Sequence, residues 1–435
     1  MPTEKKEKIL VITYYWPPSG GAGVQRWLKL TKYLSKLNFE THVLTVDPEK
    51  ASYFQRDESL LKDIDPSVSV HHTNSFEPLN IYGSIVGKKK VPTAGFSNID
   101  VQTWKSKLVA KIRSNLFIPD PRIGWKKYAI KRALNIIKQE NITHIITTSP
   151  PHSVQVIGLE LKRKLGESIN WIVDFRDPWT DIYYYHLLQN SNYSHKKNMQ
   201  LEKEVLETAD QIITVSEGFK SLFLKKTDSI SADKINVISN AYDSDDFEET
   251  KNDQPSDSFL ISYIGTVADN YNVEMLFNAL SRLITINPDA PIQFKATGII
   301  SDNLKQLIIE KLGKEHVTFH APVPHQFAIR AMREAHILLL LIPPKTGIVP
   351  GKTFEYMASG RRIICLGKED SAHIIETCQA GASFDRNEED KLVAYLQNSL
   401  DDFKQQIPFK NNTAEVVKYA WDYKAKQITT LLKQK

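Results

Sequence analysis

The residues with the most distinctive chemistry lie where a loop enters a helix near residue 350. Gly347 and Gly351 flank this loop, and Lys352 and Glu355 follow in the helix. Free backbone N–H groups at a helix start, together with an ammonium group, bind anions. Lys352 is therefore predicted to hold a diphosphate. Glu355 comes one turn later on the same side and would accept hydrogen bonds from two ribose hydroxyls.

Candidate acid–base residues follow a predicted strand, Trp171–Phe175. Asp174, Arg176 and Asp177 stand at its carboxyl end, and Pro178 stiffens the turn. A carboxylate there can take a proton from an attacking hydroxyl or orient a sugar, which makes Asp177 a candidate catalytic residue. The alternative is an internal Arg–Asp ion pair with no catalytic role.

His152 stands where the predicted strand His144–Thr148 gives way to a helix. A histidine in this position can act as a general base, donate a hydrogen bond or contact a phosphate. The alternative is an incidental surface histidine beside a helix cap.

Glycines mark two further places where the backbone can approach a ligand closely. Gly21 and Gly23 lie between the first strand and the first helix, a position that suits an anionic or hydroxyl-rich ligand. A dinucleotide site that ends at Asp47 and a simple tight turn are the alternatives. Gly265 follows the predicted strand Leu260–Ile264 and allows close approach of a phosphate or a sugar.

The elements that must position these residues alternate between strands and helices. Strands separated by helices of this length form parallel sheets covered on both faces. The first run of predicted strands is Lys8–Thr13, Thr41–Val46, His144–Thr148, Trp171–Phe175, Gln211–Val215 and Ile235–Ile238. The second run is Leu260–Ile264, Ile292–Thr297, Val317–His320, Ile337–Ile342 and Arg362–Leu366.

An acidic stretch, Asp243–Asp257, divides the two runs. The pattern predicts an α/β protein with two doubly wound domains, residues 1–242 and 258–410. The remaining residues, 411–435, are predicted to form a C-terminal helix that can pack back on the first domain. Ligands bind at the carboxyl ends of the strands in such sheets, so we expect a site in the cleft between the domains.

A basic segment at about residues 52–124 interrupts the alternation in the first domain. Within it, Trp104 and other apolar residues recur at helical spacing, with Lys105, Lys107 and Lys111 among them. A basic amphipathic helix is typical of contact with an anionic membrane or an anionic lipid-linked substrate. The alternative is a helix packed on its own domain with a solvated basic face.

Composition excludes several classes of protein. The 56 basic side chains exceed the 51 acidic ones too slightly to indicate a nucleic-acid binder. Two cysteines exclude a disulfide scaffold, and no recognisable metal-binding motif is present. No apolar run reaches the length needed to span a bilayer. We expect a cytoplasmic protein that requires no metal or other cofactor.

These motifs appear in the order found in one enzyme family, and the chain resembles the group 1 glycosyltransferases (glycosyltransferase family 4) over most of its length. The resemblance rests on the early glycine loop and on Asn240–Asp243, Tyr263–Gly265 and Pro350–Gly360. It implies the GT-B fold, in which two Rossmann-like domains face each other across a cleft. Ser149–Pro151 and Phe175–Trp179 resemble a subgroup that builds bacterial surface polysaccharides.

The resemblance implies a retaining glycosyltransferase of the hexosyl or N-acetylhexosaminyl type. It would move a sugar from a nucleotide sugar to a hydroxyl of a glycan acceptor. That acceptor would be linked to a lipid and held at the inner face of the cytoplasmic membrane. The second domain would bind the donor and the first domain the acceptor. Asp177 and His152 are the residues expected near the acceptor hydroxyl, with Arg176 on the same side.

The resemblance also assigns contacts with the donor. Lys352 would contact the diphosphate and Glu355 the ribose. Backbone groups would supply the other contacts: Gly347, Ile348 and Val349 at the sugar and phosphates, Gly21 and Gly23 from the opposite domain, Gly265 near a phosphate or sugar, and Gly298 near the base.

Two departures from the family pattern concern the donor. Many members carry a glutamate at the position of Gly347, and many carry an arginine and a lysine in the stretch that matches Thr266–Tyr271, which has neither. Arg330, Arg333 and Lys345 are candidates to supply the missing charge.

Two other functions remain open on the same architecture. A nucleotide-sugar epimerase would need acid and base groups on both sides of a hexose and no acceptor site, whereas the basic segment favours a transferase. A degenerate, non-catalytic transferase that acts as a scaffold would explain the two departures from the family pattern.

Overall fold

A computed structural model describes residues 6–77, 111, 113–248, 250, 253, 255–267, 271–342, 349–368 and 370–433. The chain divides into two compact units. The first contains the residues up to Ser239 together with those from Lys424 onward, and the second runs from Asn240 to Tyr423.

The first unit is built on a parallel sheet in the strand order β3-β2-β1-β4-β5-β6-β7. Its central strands β4 and β5 are buried along their whole length, as expected when helices cover both faces of a parallel sheet. The strands are β1 Glu7–Ile12, β2 Phe39–Val46, β3 Ser69–Thr73, β4 His144–Ser149, β5 Asn170–Phe175, β6 Gln211–Thr214 and β7 Ile235–Val237. The helices are α1 Ala22–Lys36, α2 Lys126–Glu140, α3 Ser153–Leu165, α4 Asn192–Thr208 and α5 Glu217–Leu224.

The second unit repeats this design with the strand order β10-β9-β8-β11-β12-β13. Because β9 and β10 lie on one side of β8 and β11 on the other, the chain reverses its direction of travel across the sheet between β8 and β11. The strands are β8 Phe259–Val267, β9 Ile292–Ile300, β10 Val317–His320, β11 Ile337–Leu341, β12 Arg362–Leu366 and β13 Gly381–Phe384. The helices are α6 Ser244–Glu248, α7 Glu274–Ile286, α8 Asp302–Leu312, α9 His325–Glu334, α10 Lys352–Ala358, α11 Asp370–Thr377, α12 Glu389–Lys404 and α13 Thr413–Val416.

The last helix, α14 (Trp421–Lys433), begins in the second unit and ends in the first. Its residues Ala425, Ile428, Leu431 and Leu432 are buried. Short 3₁₀ turns connect several elements: Glu58–Asp63, Pro121–Trp125, Gly166–Ser168, Tyr185–Leu188, Ala232–Lys234, Lys314–His316 and Val417–Tyr419.

The predicted alternation of strands and helices is confirmed in both units, and the structure adds two strands that were not predicted, β3 and β13, each at the edge of its sheet. Strand β3 lies at the edge of the first sheet, inside the segment that sequence analysis treated as an insertion. Its sequence, Ser-Val-His-His-Thr, has no apolar run because an edge strand is only partly buried. No helix among the described residues combines the length and apolar character needed to cross a membrane.

Candidate functional site

In the second unit, Lys352 is held against the end of strand β8. A methyl group built on Gly265 would lie 1.5 Å from the Nζ atom of Lys352, so the missing side chain of Gly265 provides the space that the ammonium group occupies. The Nζ atom also lies 5.7 Å from the centre of the Tyr263 ring. Burial lowers the pKa of Lys352, and the nearby Glu355 carboxylate raises it. The result is a largely desolvated cation, whose attraction for a phosphate is stronger than it would be in water.

Gly265 and Gly298 are partners in the pairing of β8 with β9. Both have positive φ values, +138° and +141°, which side-chain-bearing residues rarely adopt. A methyl group on Gly298 would also collide with the carbonyl oxygen of Gly265, at 1.9 Å. Glycine is therefore required at both positions, because the Lys352 ammonium fills the space beside Gly265 and the Gly265 carbonyl fills the space beside Gly298.

Helix α10 is fixed to β8 by Tyr356. Its hydroxyl accepts a hydrogen bond from the backbone N–H of Ile264 at 3.1 Å and lies 3.4 Å from the carbonyl oxygen of the same residue. Phe354, on the same helix, is buried and stacks on Tyr419. Lys352 therefore begins a helix whose position is set by the strand that also carries Gly265.

Glu355 has a partner that sequence analysis did not identify. Its Oε1 atom lies 3.1 Å from Nε2 of His325, the first residue of α9, and Nδ1 of His325 lies 3.8 Å from a carboxylate oxygen of Asp246. His325 follows a short Pro-rich loop, and no sequence pattern connects it with a helix 30 residues later. The imidazole orients one oxygen of the carboxylate that is the candidate ribose ligand.

Of the candidates to supply charge, Arg333 lies at the wrong end of α10. Its guanidinium donates to the carbonyl oxygen of Ser359, directly after the last turn of the helix that Lys352 begins. Arg330 is exposed on α9, and Lys345 lies outside the described residues. A different cation, Arg386, donates to the carbonyl oxygen of Ile342, directly after β11, at 2.7 Å.

In the first unit, Arg176 joins three segments that lie far apart in the sequence: the glycine loop and the ends of β4 and β5. Its guanidinium donates to the carbonyl oxygens of Pro150 at 2.6 Å, Ser149 at 3.2 Å and Gly23. A methyl group on Gly23 would lie only 2.9 Å from this guanidinium. Burial lowers the pKa of Arg176, while the Asp174 and Asp177 carboxylates raise it. Arg176 thus clamps the glycine loop to the ends of β4 and β5.

Asp174 is part of an internal ion pair, with Arg26 as its partner. Arg26 donates to both carboxylate oxygens, at 3.1 and 2.9 Å, and both side chains are buried. The Trp27 indole and the Thr148 hydroxyl donate to the same carboxylate at 2.7 and 2.8 Å. With four hydrogen bonds on its two oxygens, Asp174 is a structural anchor and leaves Asp177 as the candidate base.

The His152 imidazole stacks face to face on the Trp179 indole, with ring centres 4.9 Å apart and planes 5° from parallel. Burial, and to a lesser extent the charge of Arg176, lowers the pKa of His152 to about 3. Its Nδ1 atom is buried and has no hydrogen-bond partner among the described residues. His152 is therefore neutral near pH 7 and can exchange hydrogen bonds with a hydroxyl, but it is a poor cationic ligand for phosphate.

Asp177 lies close enough to Arg176 for its pKa to respond to that charge, as His152 does. Burial raises the pKa of Asp177, and Arg176 partly offsets the rise. A carboxylate with a raised pKa is a better proton acceptor than an exposed one. The structure therefore brings Asp177, His152 and Arg176 to one end of the first sheet, where β4 and β5 finish.

Asp120, which was not among the predicted site residues, fixes the start of α3. One of its carboxylate oxygens accepts a hydrogen bond from the backbone N–H of Ser153 at 2.7 Å, directly after His152. The other accepts from the backbone N–H of Arg122 at 2.9 Å. The Asp-Pro pair before a helical segment is a capping signal that could have revealed this role.

The glycine loop of the first unit is pinned by the segment that follows β2. The backbone N–H of Gly20 donates to Gln55, and that of Asp57 donates to Pro18, at 2.9 and 2.8 Å. Gly21 comes directly before helix α1. The loop that is predicted to face the donor is thus paired through its backbone with residues 55–57.

Several predicted site residues lie outside the described residues: Gly347, Ile348, Trp104, Lys105 and Lys107. Two of their neighbours are described. Val349 is buried, and Lys111 is exposed with its carbonyl oxygen bonded to Asn115.

Among the described residues, one cluster has a composition suited to a metal ion: Glu40, His42 and Glu140. The ammonium group of Lys8 lies 3.1 Å from Glu40 and 2.6 Å from Glu140 and offsets one of their two negative charges. Glu40 is the second residue of strand β2 and so lies at its amino end, whereas the candidate site residues follow the carboxyl ends of strands. The cluster is therefore separate from the candidate site.

Comparison with known families identifies the class of protein. A model described as Glycosyltransferase Family 4 matches residues 20–246, and one described as Glycosyl transferases group 1 matches residues 258–402. The chain therefore belongs to glycosyltransferase family 4, the group 1 glycosyltransferases. No curated protein matches the chain.

Solved structures with the same fold cover nearly the whole chain. Sucrose-phosphate synthase from Thermosynechococcus elongatus is 14% identical with a TM-score of 0.61, and covers 99% of both chains. A glycosyltransferase from Rickettsia africae ESF-5 is 17% identical with a TM-score of 0.60, over 99% of this chain and 100% of its own. HepE from Anabaena in complex with UDP-glucose is 12% identical with a TM-score of 0.58, over 98% of this chain and 99% of its own. The fold is GT-B, as expected.

Proposed function

We propose that this protein is a retaining glycosyltransferase that moves a sugar from a nucleotide sugar to a hydroxyl of a lipid-linked glycan in the synthesis of a bacterial surface polysaccharide. The observation that carries the proposal is the contact of the Lys352 ammonium with Gly265, beside Glu355. The second unit binds the donor through these residues. The first unit binds the acceptor around Asp177 and His152.

On the donor side, the diphosphate lies against Lys352 and the ribose hydroxyls donate to Glu355. As the bond between the sugar carbon and the phosphate oxygen breaks, negative charge collects on the leaving diphosphate. A fixed, desolvated cation stabilises that charge more in the transition state than in the ground state. The protein itself thus supplies the positive charge that stabilises the leaving diphosphate. We therefore propose that no metal ion is needed.

On the acceptor side, the attacking hydroxyl forms the new bond on the face of the sugar that the diphosphate leaves, so the configuration is retained. Its proton passes to a phosphate oxygen of the leaving group or to the carboxylate of Asp177. Neutral His152 orients the hydroxyl by a hydrogen bond. The basic residues that include Lys111 favour an acceptor with an anionic lipid carrier.

A thermal-shift screen against UDP, GDP, ADP and dTDP, and against their glucose and N-acetylglucosamine conjugates, tests the donor half of the proposal. A bound ligand raises the melting temperature by mass action. The shift should disappear in Lys352→Ala and persist in Lys305→Ala, which removes an exposed lysine of α8. Equal shifts in both variants would show that the diphosphate lies elsewhere.

The selected nucleotide sugar is then incubated with and without a lipid-linked glycan, with and without EDTA. Transfer of the sugar only in the presence of acceptor supports the transferase, and transfer that survives EDTA supports the metal-free mechanism. An epimerised donor formed without acceptor would support the epimerase. Binding with neither product would support the scaffold.

A further inference from the structure

The segment that carries Asp177 is anchored beneath by helix α4. Glu202, fully buried on this helix, accepts hydrogen bonds from the backbone N–H of Trp179 at 3.2 Å and from the hydroxyl of Thr180 at 2.5 Å. Two consecutive residues of the loop are thereby bound to one carboxylate. The backbone immediately after Asp177 and Pro178 therefore has a fixed position.

The same helix also holds the Trp179 side chain. The indole Nε1–H donates to the side-chain oxygen of Asn198 at 2.9 Å, and the amide of Asn198 in turn donates to the carbonyl oxygen of Ser194 at 2.9 Å. Asn198 and Glu202 are four residues apart and lie on one face of α4. Their four-residue spacing lets one helix face fix both the backbone and the ring of Trp179.

The ring held in this way is the one on which His152 stacks, with the planes 5° from parallel. Since none of the described residues hydrogen-bonds Nδ1 of His152, the orientation of the imidazole depends on packing. Trp179, buried itself, supplies that packing. A path of direct contacts thus leads from α4 through Trp179 to His152, and through Pro178 to Asp177.

We propose that Asn198 and Glu202 are positioning residues for the acceptor half of the site, which fix the plane of the His152 imidazole and the place of the Asp177 carboxylate by holding Trp179. This inference rests on the proposed function for its effect on turnover. Its structural content is independent of that function.

The charged groups around Glu202 give the arrangement a dependence on pH. The Nζ atom of Lys226 lies 3.2 Å from Glu202 and 2.7 Å from the Thr180 hydroxyl, and also contacts Asp181. Tyr185 is a further titratable neighbour of Glu202. Burial raises the pKa of Glu202 to about 7 and lowers that of Lys226 to about 8.

The sign of the pH effect follows from these directions. Below about pH 7, Glu202 takes up a proton, loses its charge attraction to Lys226 and can accept fewer hydrogen bonds from the loop. Turnover of the native enzyme should therefore decline on the acid side of pH 7. Glu202→Gln keeps an oxygen acceptor for the Trp179 N–H but cannot titrate, so its turnover should be lower and should fall less steeply than that of the native enzyme between pH 8 and pH 6.

The experiment measures kcat, the KM for the donor and the NMR resonances of the His152 ring in three variants: Asn198→Leu, Trp179→Phe and Glu202→Gln. A stacked indole displaces the ring-proton resonances of His152 to high field, and His152→Gln identifies these resonances. We expect Asn198→Leu to lose this displacement and to reduce kcat about tenfold with the donor KM unchanged. Gln200→Ala, on the exposed face of the same helix, should change neither.

Three results would overturn the inference. His152 resonances and kcat that stay native in both Asn198→Leu and Trp179→Phe would show that α4 does not position the site. An identical acid limb in Glu202→Gln and the native enzyme would remove Glu202 from that role. A donor KM that rises in Asn198→Leu as kcat falls would show that the substitution also acts on the donor half of the site. If the native protein transfers no sugar, the proposed function fails, and the NMR displacement still decides whether α4 orients His152.

Discussion

Replacing Gly265 by alanine should weaken diphosphate binding by displacing Lys352. The new methyl group would start 1.5 Å from Nζ, and the ammonium must retreat by about 1.9 Å to reach ordinary contact at 3.4 Å. At an effective dielectric constant of about 20, a cation about 4 Å from a phosphate charge contributes about 4 kcal/mol, and at about 6 Å about 2.8 kcal/mol. The difference corresponds to roughly a tenfold loss in affinity and in kcat/KM.

A double-mutant cycle with Lys352→Ala separates this effect from general damage. Lys352→Ala alone removes the whole interaction, roughly a thousandfold. If Gly265→Ala acts through the ammonium, it should cost about tenfold in the native background and less than twofold when Lys352 is already absent. Isothermal titration with the nucleoside diphosphate chosen by the screen gives the affinities.

Backbone strain requires its own control. Alanine at the φ of Gly265 costs about 1–3 kcal/mol of stability and lowers the melting temperature. Gly313→Ala imposes comparable strain at the end of α8, with φ +85°, and should leave diphosphate binding unchanged. A tenfold loss for Gly265→Ala in both backgrounds would refute the reasoning, because the effect would then not pass through Lys352.

Three further outcomes follow from the first unit. Asp174→Asn leaves the buried Arg26 guanidinium without its counter-charge and should destabilise the protein by about 3–5 kcal/mol, measured by urea unfolding. Asp177→Asn should reduce kcat while stability stays equal or rises, because burial already disfavours the charged carboxyl; a large fall in the melting temperature would contradict this. The His152 ring should not titrate between pH 5 and 8 in NMR spectra. Because His152 binds a proton more readily in the unfolded chain, it should lower stability as the pH falls from about 6.5 toward 3, and His152→Gln should reduce that acid sensitivity.

Local patterns were sufficient to predict most of the fold. Strand β12 has the bounds that the sequence predicts, because four of its five residues are apolar and buried. Strand β3 was missed because this edge strand lacks such a run of apolar residues. A role for Lys352 in diphosphate binding could also be predicted, because a glycine, a lysine and a glutamate stand close together in the sequence.

Long-range partnerships could not be predicted in the same way. Arg26 and Asp174 are 148 residues apart, whereas Arg176 stands only two residues from Asp174 in the sequence. His325 meets Glu355 only because α9 and α10 pack in the same unit. Pairings of this kind depend on which strand ends the topology brings together, and a single sequence contains no local signal for them.

The path of helix α14 has a consequence for the order of events during synthesis. Residues from Lys424 onward complete the first unit, yet the whole of Asn240–Tyr423 leaves the ribosome before them. At roughly 5–20 residues per second, the apolar surface that Ala425, Ile428 and Leu432 cover stays open on the order of ten seconds or more. The first unit to emerge is therefore the last to be finished, and a nascent chain in that interval is a natural client for a chaperone.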